Sequence, residues 1–182
     1  MKFKTELSIL DQYATGILPK SLFFFLGIIL LSISSKISIP FYPVPMTLQT
    51  FVVYFIAASM GMVGFYSTVS YVLLGLMGLP IFAAGGGMGY IMSPTFGFLY
   101  GMILSSLFIA YFSKNLFNKN IFKLTLAIFI GAIITFVCGV AHLASFIGLE
   151  KAIAAGFLPF MYSEFLKIAL AILTSYLLIK KN

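Results

Sequence analysis

A chain of 182 residues that is 62% hydrophobic and 8% charged has too little polar surface to clothe a water-soluble globule, so it reads as an integral membrane protein. The formal net charge of +7 rests on lysine alone, with no arginine, and most lysines sit at the ends of apolar runs. That pattern reports membrane topology and excludes a nucleic-acid groove.

With roughly 20 apolar residues taken as the length that crosses a bilayer, and shorter runs allowed where neighbours bury their ends, six runs emerge. The first spans Ser21 to Ser35, between Lys20 and Lys36. Its Ser32 and Ser34 give a small-x-small pattern, but the long leading segment carries Glu6 and Asp11, which argues against a cleaved signal peptide. The second run covers Thr47 to Met62 and the third Phe65 to Leu79. A glycine-rich segment follows, then a fourth run over Thr95 to Phe112, a fifth over Leu124 to Phe146 and a sixth over Phe160 to Ile179. The expectation is an all-α integral membrane protein, one membrane domain over 1–182, with 1–20 as a cytoplasmic N-terminal segment.

Six crossings put both termini on one side, and the lysines choose which. Lys2, Lys4, Lys20, Lys114, Lys119, Lys123, Lys180 and Lys181 then face the cytoplasm, leaving outside only Lys36 and Lys151, the latter beside Glu150. Three irregular segments consequently meet on the outer face. One is KISIPFYPVP, stiffened by Pro40, Pro43 and Pro45; the second is the glycine-rich loop between Pro80 and Pro94; the third is Ile147 to Pro159. Gly85, Gly86, Gly87 and Gly89 make the second segment a poor helix and a poor strand, so something approaches its backbone closely. It reads as a lid over a cavity.

Polar residues at the same level supply that cavity with chemistry. Glu164 and Lys167 share a face near the outer end of the sixth run, where ionisable groups are costly unless they face a cavity or a partner. Two readings fit them: an intrahelical pair that neutralises itself, or a ligand site. Thr47, Gln49 and Thr50 open the second run, as caps and interhelical donors or as pocket groups. Tyr42, Tyr90 and Tyr162 lie near the outer boundary, and Tyr90, beside the glycines, is the one that reads as a pocket wall.

Other chemistries find little equipment. The glycines continue into Met88, Gly89 and Tyr90 without the Gly-Lys-Ser/Thr of a phosphate loop, so ATP is not the chain's own energy source. The lone histidine, His142, has no cluster of metal ligands around it in sequence, so no metal site is expected. Cys138 sits alone in an apolar run, where a thiol packs as a small hydrophobe. No catalytic group is assigned. What remains is a pocket with one cation, one carboxylate, amide and hydroxyl groups, suited to a small anionic molecule with hydrogen-bonding groups at both ends.

The blocks IPFYPVPMTLQT, LLGLMGLPIFAAGGGMGYIMSPTFGFLYG and AAGFLPFMYSEFLKIALA resemble the biotin-binding membrane subunit of energy-coupling factor transporters, the BioY family, from about Lys36 to Ala171. The resemblance implies six helices, with biotin held near the outer surface beneath the loop joining the third and fourth. It implies a substrate-binding role for Thr47, Gln49, Gly85, Gly86, Gly87, Gly89, Tyr90, Thr95, Glu164 and Lys167. The family's Asp-x-x-Lys falls on Glu164 and Lys167, so that the lysine would meet the valerate carboxylate and the acid, one methylene longer than usual, would bond the ligand. Ser163 replaces a frequent glycine, and His142 stands where the family often has tryptophan.

The same resemblance implies a membrane coupling subunit and two cytoplasmic ATPases as partners, biotin as the transported ligand with no cofactor, and a prokaryotic cytoplasmic membrane as the location. The first run departs from the family's docking face, because it offers Gly27 and Ser32 but no Ala-xxx-Ala pair. A solitary biotin transporter therefore stays open beside the coupled one. A lipid-modifying membrane enzyme using Glu164 or His142 as base lacks a second catalytic group, and a structural or pore-forming bundle leaves the glycine loop unexplained.

Overall fold

A computed structural model describes residues 17–116 and 120–180. Of the cytoplasmic segment expected over 1–20, residues 1–16 lie outside the described residues, as do Lys119 and Lys181. The chain is mostly helical. Helix α1 covers Ile17–Lys36, and Lys36 in its last turn complements the negative end of the helix dipole. The segment after it folds back as a short antiparallel ladder, β1 (Ser38–Ile39) with β2 (Met46–Thr47), in which Ser38 faces Thr47 and Ile39 faces Met46. Pro40, Pro43 and Pro45 lie between the strands, where no ladder bond needs their missing N–H, and the Tyr42–Pro43 bond is cis.

That ladder corrects the expected start of the second helix. Thr47 lies in a strand, and helix α2 runs Gln49–Met60. Gly61, with φ of +56°, ends α2 and opens α3 (Met62–Leu76), so the two form a tight hairpin. Helices α4 (Phe96–Leu116) and α5 (Ile121–Ile147) follow the glycine-rich segment, and Asn120 caps α5 by accepting from the Phe122 N–H at 2.9 Å. The segment expected to be irregular between Ile147 and Pro159 instead holds a short helix, α6 (Leu149–Gly156), and a 3₁₀ turn at Leu158–Phe160. Helix α7 covers Met161–Lys180.

Pro19–Lys36, Ile121–Ile147 and Leu149–Leu178 are long and apolar enough to cross a membrane, and Gln49–Met60, Met62–Leu76 and Phe96–Phe112 are shorter apolar helices. Large side chains such as Leu22, Phe25, Leu73, Val137 and Leu166 turn outward, as lipid contact favours. This is a multi-pass membrane protein.

Helix α2 occupies the middle, packed against α1, α3, α4, α5 and α7. Val53, Tyr54, Ile56, Ala57 and Ala58 are fully buried along it. Lipid is as apolar as a leucine core, so close packing and interhelical hydrogen bonds must hold such a bundle together. Small residues supply the first between α4 and α5: a side chain at Gly97 or Gly139 would collide with His142 and Phe98, respectively. The polar residues of α2 supply the second, and they gather at its N-terminal end.

Candidate functional site: a polar cluster in a membrane cavity

Helix α7 sorts its residues by the helical repeat. Glu164, Lys167, Ala171 and Ser175 turn inward, while Phe165, Leu166, Leu170 and Leu173 face out. Glu164 is 5% exposed and Lys167 is 7% exposed, so both charges are withdrawn from solvent and from lipid. Burying one charge without the other would be costly, and the spacing of three residues lets them meet: Lys167 Nζ lies 3.1 Å from Glu164 Oε2.

Helix α2 completes their satisfaction. Thr50 Oγ1 donates to Glu164 Oε2 at 3.0 Å and accepts from Lys167 Nζ at 3.3 Å. Tyr54 Oη donates to Glu164 Oε1 at 2.8 Å. Thr50 and Tyr54 are four residues apart, hence on one face of α2, and that face meets the charged face of α7. The carboxylate thus accepts from three donors, which spreads its charge over the interface between two helices. Tyr54→Phe removes the bond to Oε1 from a buried ion, so it is expected to lower the unfolding free energy by about 1.5–3 kcal/mol. A thermal unfolding series in detergent checks this, and an unshifted midpoint would show the bond to be idle.

Beside this cluster lies a small cavity, partly open to the surface. Thr47, Gln49, Thr50, Glu164 and Lys167 supply its polar lining. Phe98, Phe136 and Phe160 supply an aromatic lining, and Val44 and Pro45 contribute from the proline-rich turn. Tyr90, Thr95 and Ala83 bring in the stretch between α3 and α4. Six residues given a substrate-binding role from the sequence, Thr47, Gln49, Tyr90, Thr95, Glu164 and Lys167, therefore share one cavity with Thr50.

The four glycines behave differently. None is among the residues lining this cavity. Gly85 and Gly87 have φ of +115° and +106°, a region that side chains rarely enter. A side chain at Gly86 would run into the carbonyl oxygen of Leu79 and come within 2.9 Å of that of Gly75. What approaches this backbone is thus the end of α3, with the Gly87 N–H donating to the Gly75 carbonyl at 2.7 Å. A side chain at Gly89 would meet nothing within 4 Å, and its φ lies outside the left-handed region.

The segment is further rooted through Ile81 and Phe82. Ser35 Oγ donates to the Ile81 carbonyl at 2.6 Å and Lys36 Nζ to the Phe82 carbonyl at 2.6 Å, while the Phe82 ring packs edge-on to Tyr71 and tilted against Tyr90. His142 Nε2 lies 3.1 Å from the Ser93 carbonyl and its ring packs on Phe96, Tyr100 and Phe146, tying α5 to the entry of α4. Tyr54 and Tyr71 were not singled out in the sequence. The available signal was the pairing of Thr50 with Tyr54 at a spacing of four within an apolar run.

The sequence and the fold have counterparts among known proteins. The BioY family model matches residues 11–181. The chain is 37% identical to a protein named biotin transporter BioY from Thermotoga maritima, over 79% of this chain and 86% of that one. It is 33% identical to a probable biotin transporter BioY from Pyrococcus horikoshii, over 81% of this chain and 88% of that one. Its fold superposes on a crystal structure of the S-component for biotin from an ECF-type ABC transporter with a TM-score of 0.78, at 24% identity and covering 94% of both chains. With nearly the whole sequence matched by the family model and close relatives at more than 30% identity, the chain belongs to the BioY family.

Proposed function

We propose that this protein binds biotin and serves its uptake across a prokaryotic cytoplasmic membrane, as the substrate-specific subunit of an energy-coupling factor transporter. The observation that carries this reading is the buried Glu164–Lys167 pair on the wall of a cavity lined by both polar and aromatic side chains. Biotin has the same mixed character: a ureido ring and a carboxylate joined by apolar atoms. Lys167 has three donors and spends two on Glu164 and Thr50, leaving one for the valerate carboxylate. Glu164 Oε1, engaged by Tyr54 alone, keeps a lone pair for a ureido N–H. Gln49, Thr47 and Thr95 supply further polar groups, and Tyr90 a wall.

In this reading all six apolar helices cross the membrane, with α6 and the glycine-rich segment on the outer side and both termini in the cytoplasm. Gly85, Gly86, Gly87 and Gly89 shape a lid whose fold brings Ala83 and Tyr90 to the ligand, with the glycines themselves supporting that fold. A coupling subunit and two ATPases supply the energy. A solitary transporter is the second reading, and the burial of Gly27 against Ser67 favours it, since the one glycine of α1 is spent inside the protein. Tritiated biotin is expected to bind purified protein saturably, without ATP and without ATP hydrolysis. Absence of saturable binding sinks the biotin reading; ATP hydrolysis by the isolated chain sinks the division of labour.

A further inference from the structure

We propose that Tyr71 is a positioning residue that fixes which way the Gln49 amide faces, and so sets the cavity's preference between ligand groups that accept and groups that donate; this rests on the biotin reading above. Gln49 is 4% exposed, and its Nε2 donates to Tyr71 Oη at 2.8 Å. Its Oε1 accepts from Thr47 Oγ1 at 3.2 Å. A tyrosine hydroxyl carries one proton, and Tyr71 gives that proton to the Ile81 carbonyl at 2.9 Å. Toward Gln49 the Tyr71 oxygen therefore acts only as an acceptor. An overturned amide would have to draw the proton away from Ile81.

Tyr71 is itself held in place, 1% exposed with its ring edge-on to Phe82 at 5.5 Å. Clamped at Nε2 by Tyr71 and at Oε1 by Thr47, the amide keeps one N–H and one lone pair in fixed positions at the cavity wall. Lys36 provides a control built into the fold. Its Nζ donates to the Phe82 carbonyl from α1 at 2.6 Å, so it shares Tyr71's hold on the glycine-rich segment but not its hold on the amide, whereas Ser35 hydrogen-bonds Tyr71 itself.

The test compares dissociation constants of purified protein for biotin and for 2-iminobiotin, in which an N–H donor replaces the ureido carbonyl acceptor. Tyr71→Phe frees the amide to turn and is expected to shrink the native preference between the two ligands by about fivefold or more. Thr47→Val, which releases the other end of the amide, shifts it in the same direction and decides the matter if Tyr71→Phe does not fold. Lys36→Met leaves the preference within about twofold. An unchanged preference in a folded Tyr71→Phe or Thr47→Val protein, or an equal shift in Lys36→Met, overturns the positioning role. Native protein that binds both ligands equally also overturns it while keeping the biotin reading, whereas native protein that binds neither overturns both.

Discussion

Lys167→Ala is expected to weaken biotin binding by about 2–5 kcal/mol, the cost of truncating one member of a buried charged contact. Two effects combine. The ligand carboxylate loses its cation, and Glu164, still buried and still bonded by Thr50 and Tyr54, becomes an unneutralised anion beside it. Biotin methyl ester brings no carboxylate charge, so it should bind the native protein more weakly and lose far less on the same substitution. Combining Lys167→Ala with Glu164→Gln removes the stranded anion and should restore thermal stability without restoring affinity for the acid. Equal losses for acid and ester would make Lys167 a structural ion-pair residue with no ligand role.

The second large effect is expected at Gly86. Valine there meets the Gly75 carbonyl in the last turn of α3 and the Leu79 carbonyl just beyond it, backbone groups that cannot swing aside as a side chain could. The segment must leave its seat, breaking the Gly87-to-Gly75 bond and carrying Ala83 and Tyr90 out of the cavity wall. A loss of about 1–3 kcal/mol in stability is expected, with weaker biotin binding alongside. Gly89→Ala, in open space, should change neither. Thermal midpoints and biotin affinities of the two proteins check the contrast, and a Gly89→Ala loss matching Gly86→Val would show that glycine content, not the α3 seat, governs the segment.

The sequence announced what the bilayer imposes and hid what local pairing decides. Apolar runs ended by lysine, proline or glycine gave each long helix to within a few residues, because hydropathy and breakers act on the scale of a span. Helix α6 escaped because its eight residues are far shorter than that scale. The β1–β2 ladder escaped because two-residue strands carry no periodicity, although the three prolines marked the turn between them. Glu164 and Lys167 stood out as rare charges in an apolar helix, and their level in the chain put Thr47 and Gln49 beside them. Tyr54 did not stand out, since one tyrosine among ten reads as interfacial decoration until its hydroxyl is seen to meet a carboxylate. Likewise, glycine density signalled close approach but not its source, which only the folded end of α3 supplies.

The inward turn of Gly27 has a consequence for whatever helix lies against α1 from the lipid side. Once Gly27 is spent on Ser67, and with Ser32 half-buried and bonded to the Ile28 carbonyl of its own helix, the exposed stripe consists of Leu22, Phe25, Leu26, Ile29 and Ile33, all large. A neighbouring helix on that stripe rests on side-chain tips, with its axis about 8–10 Å away, and its backbone cannot press against that of α1. Such a contact is held by shape and dispersion over a broad ridge and slides or rolls more readily than a locked small-residue groove. The outer face of α1 is thus built as a bearing surface rather than a clasp.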